Sequence, residues 1–148
     1  MQLPPEVIAA ARAAQARRHV PASVSIAQWR IESGNGAHQP GNNGFGMKPR
    51  KGKDDPCQML STTEWNGKAY VPCKQPFHIF ASIEDAFLAH AELIATAPVY
   101  AEAMAALPNR DLFIDRLAAH YATDPRYAAK IKAMIAQSDL GQFDLVRA

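Results

Sequence analysis

The stretch "PASVSIAQWRIESGNG", residues 21–36, reads as a helix that closes on an acid. Pro21 to Ser23 suit its start, and Val24, Ala27 and Ile31 fall on one face at helical spacing. Gly34 ends it, as a glycine just past a helix usually does. Glu32 sits in the last turn, at the negative end of the helix dipole and beside Ile31 at the edge of the apolar stripe. Dipole and partial burial both disfavour the carboxylate and are expected to raise its pKa. A carboxyl that keeps its proton near neutral pH is what a general acid requires. A helix-end Glu facing water is the commoner case. The chemical reading is favoured by Gly34 and Gly36, which let a ligand approach the backbone.

Working outward, residues 4–19 are expected to form a helix, with Pro4 and Pro5 in its first turn and Val7, Ile8, Ala11 and Ala14 at helical spacing. From Asn35 to about Phe80 the chain is rich in proline and glycine and loses that period. Unstructured segments beyond about 12–15 residues are uncommon in compact domains and tend to be functional. Within it, "STTEWNGKAYV" (61–71) signals a hairpin, with Asn66-Gly67 as a two-residue type I′ turn that pairs positions summing to 133. Helix resumes at Ser82, where Asp85 completes a capping pattern, and Pro98 stops it. Shorter helices are expected at 99–106 and 110–120. A last one opens at Asp124-Pro125 and carries Tyr127, Ala128, Ile131, Met134 and Ile135. The fold class is α+β, mostly helical, with a small β-hairpin lobe, in one domain spanning 1–148.

Composition narrows the function. Apolar residues make up 48% and charged residues 20%, as in ordinary globular proteins. The net charge is only +2, and the run "KPRKGK" (48–53) is followed at once by Asp54 and Asp55, which argues against nucleic acid as a partner. No apolar run approaches the roughly 20 residues of a membrane span. The start "MQLPPEVIAAARAAQ" lacks a basic n-region, so synthesis in the cytoplasm without a signal peptide is expected. His19, His38, His78, His90 and His120 show no metal-ligand spacing, and neither metal nor cofactor is expected. Cys57 and Cys73 flank the hairpin and are candidates for a disulfide, worth about 3 kcal/mol for a loop of this size. Their positions sum to 130 rather than 133, so they are not directly opposite unless a bulge intervenes.

A second acid, Glu64, precedes the hairpin turn, with Thr62 on its face and Thr63 and Trp65 on the other. Alone it reads as a solvated turn residue. Paired with Glu32 across a cleft between helices and hairpin, it completes a two-carboxylate site of the kind that hydrolyses glycosidic bonds. Trp29, Phe45, Trp65 and Tyr70 are aromatic surfaces on which sugar rings could stack, although core packing is the commoner fate of such residues.

Five blocks now carry a resemblance: "SIAQWRIESGNG", "NNGFGMK", "TTEWNGK", "FHIFASIEDAFLAHAELI" and "HYATDPRYAAKI". In this order, over roughly residues 20–138, they resemble the N-acetylglucosaminidase domain of peptidoglycan hydrolases, glycoside hydrolase family 73. The resemblance implies a lysozyme-like fold and cleavage of the β-1,4 bond after N-acetylglucosamine in cell-wall glycan. It implies Glu32 as the general acid, Glu64 as the second acid and Tyr121 as the tyrosine that shapes the reactive subsite. Asn43, Phe45 and Gly46 match the block that lines the cleft, and Trp65, Tyr70 and Tyr127 join them as substrate-binding candidates. Two departures stand out: the family commonly has a tryptophan where Asn35 stands and a small residue where Trp29 stands.

The expected partner is the glycan strand of peptidoglycan, met by a monomer with no membrane insertion. Without wall-binding repeats or an export signal, the pattern suits a phage endolysin acting at the wall after release. Rival readings keep the fold and change the bond, as in an N-acetylmuramidase or lytic transglycosylase, or keep the cleft and lose turnover, as in a glycan-binding or assembly module.

Overall fold

The structure is a computed structural model that describes residues 2–146. Helix α1 (Pro5–Arg18) turns Val7, Ala10, Ala11 and Ala14 inward and lies along α3 (Ile83–Thr96). Small residues on α1 let the two helices approach closely. Ser82 caps α3 by accepting a hydrogen bond from the Asp85 amide at 3.0 Å.

Helix α2 (Ala22–Ser33) is more deeply buried than its one-sided apolar pattern suggests. Every residue from Ala22 to Trp29 is buried, including Ser23, Ser25 and Gln28. The helix runs through the middle of the bundle, so its polar side chains can bond only within the protein; Ser23 and Gln28 do so, and the Ser25 hydroxyl has no partner among the described residues. Its start has no cap of its own. Asp144, from the other end of the chain, accepts hydrogen bonds from the Ser23 amide at 2.7 Å and the Ser23 hydroxyl at 2.8 Å. Arg110 donates to the same carboxylate at 2.9 Å. A carboxylate thus sits at the positive end of the helix that carries Glu32 at its other end.

Strands β1 (Cys57–Trp65) and β2 (Tyr70–His78) form the antiparallel hairpin. Its register corrects the sequence expectation. Cys57 faces His78 and Trp65 faces Tyr70, so paired positions sum to 135 and residues 66–69 form a four-residue loop. The Asn66 side chain closes that loop by accepting from the Lys68 and Ala69 amides, both at 2.9 Å. This also corrects the disulfide expectation. Cys73 lies opposite Thr62, five residues along β1 from Cys57, or about 16 Å at the rise of a strand. Both thiols are free, and the separation far exceeds what a bridge can span.

The loop 41–47 fastens the hairpin base. Asn43 donates to the carbonyls of Met47 and His78 at 2.8 and 3.0 Å and accepts from the Met47 amide at 3.0 Å. The His78 amide in turn donates to the Met47 carbonyl at 2.9 Å. The bundle is completed by α4 (Ala101–Ala106), α5 (Arg110–Tyr121) and α6 (Tyr127–Gln137). No helix among the described residues is long and apolar enough to cross a membrane.

Candidate active site

Glu32 projects from the last turn of α2 into a cavity of about 270 Å³. The helical side contributes Glu32 and the following loop, including His38 and Asn43, while Leu60, Thr62 and Phe77 of the hairpin form the opposite wall. The site therefore lies between bundle and hairpin, as the pairing of an end-of-helix acid with a β lobe requires.

The Tyr127 hydroxyl donates to Glu32 Oε1 at 3.0 Å. Burial by the surrounding protein raises the Glu32 pKa, and the Tyr127 hydrogen bond opposes that rise by stabilising the carboxylate. Tyr121 stacks on Tyr127, with ring centroids 5.7 Å apart and planes 9° from parallel, and Tyr100 stands 6.4 Å from Tyr121. All three phenols are pushed above their usual pKa, chiefly by burial, and the charge of Glu32 adds to the effect on Tyr121 and Tyr127. They stay protonated, so Glu32 faces neutral hydroxyl groups rather than competing anions.

Other candidate residues are distributed differently from the sequence expectation. Glu64 does not line the Glu32 cavity. It shares a face of β1 with Thr62 but lies two residues, about 7 Å, further towards the hairpin tip, with Lys48 Nζ 3.6 Å from its Oε1. Trp65 and Tyr70 pair across the strands with ring centroids 5.2 Å apart. They are 58% and 70% exposed, on the face of the hairpin opposite Thr62 and Glu64. They form an aromatic patch near the tip rather than a wall of the cavity. Gly46 and Asn43 line the cavity, but the amide of Asn43 is already engaged with backbone. Phe45 is a core residue, stacked on His90 at 4.0 Å.

Trp29 is also core, only 1% exposed, and its indole N–H donates to Gln39 Oε1 at 3.1 Å. Its ring fills the space that side chains at residues 36 and 44 would need. A β-carbon at Gly36 would stand 2.9 Å from the indole ring, and one at Gly44 would stand 2.5 Å from Nε1. Gly36 thus makes room for Trp29 and not for a ligand. In the basic loop, Arg50 forms a two-point ion pair with Asp55, at 2.9 and 2.7 Å, which holds the Asp55 carboxyl well below the usual carboxylate range.

Sequence reasoning missed two residues. Gln28 Nε2 donates to Tyr127 Oη at 3.3 Å, and its Oε1 lies 2.9 Å from His90 Nε2. Gln28 is one helical turn before Glu32, so its spacing alone placed it on the acid's side of α2. His90 falls among the apolar residues of α3, where nothing in the sequence separates it from any other core histidine.

Comparison with known proteins agrees with this architecture. The glucosaminidase family model, described as mannosyl-glycoprotein endo-beta-N-acetylglucosaminidase, matches residues 8–140. The peptidoglycan hydrolase FlgJ of Salmonella typhimurium is 31% identical over 134 residues, which cover 86% of this chain and 42% of that protein. A probable N-acetylmuramidase of Lactococcus lactis is 33% identical over 135 residues, covering 82% of this chain and 30% of the relative. The chain thus spans less than half the length of these curated relatives. Among solved structures, a C-terminally truncated glycoside hydrolase domain of Salmonella typhimurium FlgJ superposes with a TM-score of 0.74 at 30% identity, covering 90% of this chain and 93% of that truncated domain. The chain belongs to the glucosaminidase family, glycoside hydrolase family 73, and has its lysozyme-like fold.

Proposed function

We propose that this glucosaminidase-family chain hydrolyses the β-1,4 bond after N-acetylglucosamine in cell-wall peptidoglycan, with Glu32 as the general acid. The observation that carries the reading is the state of Glu32, a carboxyl biased towards its protonated form at the mouth of a cleft between bundle and hairpin. In that state it can hand a proton to the glycosidic oxygen as the bond breaks, then recover one from water. The names of the relatives support peptidoglycan as the substrate class, and the protein acts at the cell wall as a monomer.

Glu64 is the second acid in a supporting capacity. Its position outside the Glu32 cavity favours attack on the anomeric carbon by the substrate's own 2-acetamido oxygen over activation of a water by Glu64. In this scheme Glu32 gives its proton to the departing oxygen while the acetamido oxygen bonds to carbon. Water then opens the ring so formed and returns a proton to Glu32. Tyr121 shapes the reactive subsite, while Tyr127 holds the acid. Asn43, Phe45 and Gly46 maintain the cleft wall, and Trp65 and Tyr70 offer a sugar platform at the hairpin tip.

The Lactococcus relative is named as a muramidase, so the same site acting one bond along is the reading to exclude. A zymogram on purified wall tests turnover: clearing by the wild type and none by Glu32→Gln supports the proposal, and clearing by both contradicts it.

A further inference from the structure

Three buried polar side chains lead to Glu32 from the far side of the bundle. His90 on α3 and Gln28 on α2 are fully buried, and Tyr127 on α6 is 3% exposed. Their contacts run in one line: His90 Nε2 to Gln28 Oε1 at 2.9 Å, Gln28 Nε2 to Tyr127 Oη at 3.3 Å, and Tyr127 Oη to Glu32 Oε1 at 3.0 Å. Buried polar groups cost stability relative to apolar residues of the same shape, and this line is not fully satisfied, since His90 Nδ1 has no partner. An apolar core would serve folding better. The line needs another reason.

Its donors can run in only one direction. A carbonyl oxygen accepts only, so His90 must carry its hydrogen on Nε2 to meet Gln28 Oε1. Gln28 then gives an N–H to the Tyr127 oxygen, which leaves the phenolic hydrogen for Glu32. The reverse polarity would place the His90 hydrogen on Nδ1, a buried N–H with nothing to accept it, which folded proteins avoid more strictly than a bare acceptor. Phe45 stacks on the imidazole and seals it from water. Burial also holds the His90 pKa down at about 3, so the ring stays neutral through the working range.

We propose that His90 and Gln28 are positioning residues that orient the Tyr127 hydroxyl, so that Glu32 Oε1 is held as an acceptor and the catalytic proton is confined to Oε2. This rests on the reading of Glu32 as the acid. Among the described residues Oε2 has no hydrogen-bond partner and is the oxygen left for substrate. The titratable groups facing Glu32 are Tyr121 and Tyr127, with Tyr100 behind them and His38 on the same wall of the cavity. None of these supplies a second donor to Oε1.

The test uses Gln28→Met, His90→Leu and His90→Gln, with two readouts: carbon-13 titration of the Glu32 carboxyl in the free protein, and kcat and KM on wall glycan against pH. Gln28→Met and His90→Leu are expected to raise the Glu32 titration midpoint by about half a pH unit and to lower kcat several-fold with KM held. His90→Gln keeps a donor towards Gln28 and is expected to restore both. An unmoved Glu32 titration in folded Gln28→Met overturns the proposal, as does a His90→Gln variant as impaired as His90→Leu. Should Gln28→Met fail to fold, the His90 pair decides alone. The titration needs no turnover, so a wild type inactive on wall removes the functional reading without obscuring this one.

Discussion

Gly44 lies against the indole of Trp29, with so little space that a β-carbon there would stand 2.5 Å from Nε1. Trp29 belongs to the turn of α2 just before Glu32, and Gly44 to the loop that fastens the hairpin. The contact therefore seats the loop that fastens the hairpin against the helix that carries Glu32. Gly44→Ala is expected to cost about 1–3 kcal/mol, the usual cost of overpacking a well-filled core. Urea titration measures it. Combining Gly44→Ala with Trp29→Phe should recover part of the loss, because the smaller ring vacates the space.

Asp144 caps α2 from the far end of the chain and also holds Arg110. Asp144→Ala leaves the Ser23 amide without its acceptor and is expected to cost about 1–2 kcal/mol in thermal or denaturant unfolding, whereas Asp144→Asn should lose less. A tail that merely rested on the bundle would show no difference between the two.

Much of this arrangement was legible in the sequence, and the exceptions have physical causes. The end of α2 was readable because Gly34 interrupts a helical period, and α3 was readable from Ser82 and Asp85. The hairpin was legible as an element but not in its register. Asn66-Gly67 signals a two-residue turn, yet the Asn66 side chain closes a four-residue loop by bonding Lys68 and Ala69, which shifts every pair along the ladder and separates the cysteines. The apolar pattern of α2 concealed its depth, because Ser23 and Gln28 look solvent-facing until a distant Asp144 and Tyr127 meet them, and Ser25 is buried without a partner among the described residues. At the site, Glu32, Tyr121 and Tyr127 were recognisable from the motifs that carry the family resemblance, whereas Tyr100, which stands beside Tyr121, was not. The burial of Phe45 and Trp29 depends on packing between segments that sequence spacing does not encode.

The raised pKa of Glu32 makes stability depend on pH. Above its ordinary value of 4.5 the folded state holds the proton more tightly than the unfolded chain, so this contribution is complete below that value and is lost as pH rises through the folded pKa. Glu32→Gln removes the cost of a carboxylate at this position. It should melt at a higher temperature than the wild type at pH 7, with the gap narrowing towards pH 4, as calorimetry across that range would record. An equal gap at both ends would contradict the pKa assignment.

Glu64 stands outside the cavity that Glu32 enters, and its replacement should cost less. Glu32→Gln is expected to lower kcat by about 10²–10⁴-fold, the usual contribution of a general acid. Glu64→Gln should lower it by no more than the bottom of that range. Equal losses would favour a water-activating base at Glu64 over attack by the acetamido group.

The most direct test of the account is the identity of the new reducing end. Purified peptidoglycan is digested by the wild type beside Glu32→Gln, and the products are reduced with borohydride and hydrolysed. Glucosaminitol from the wild type, and none above background from Glu32→Gln, is the predicted result. Muramitol, anhydromuramic ends, or glucosaminitol in equal amounts from both proteins would contradict it.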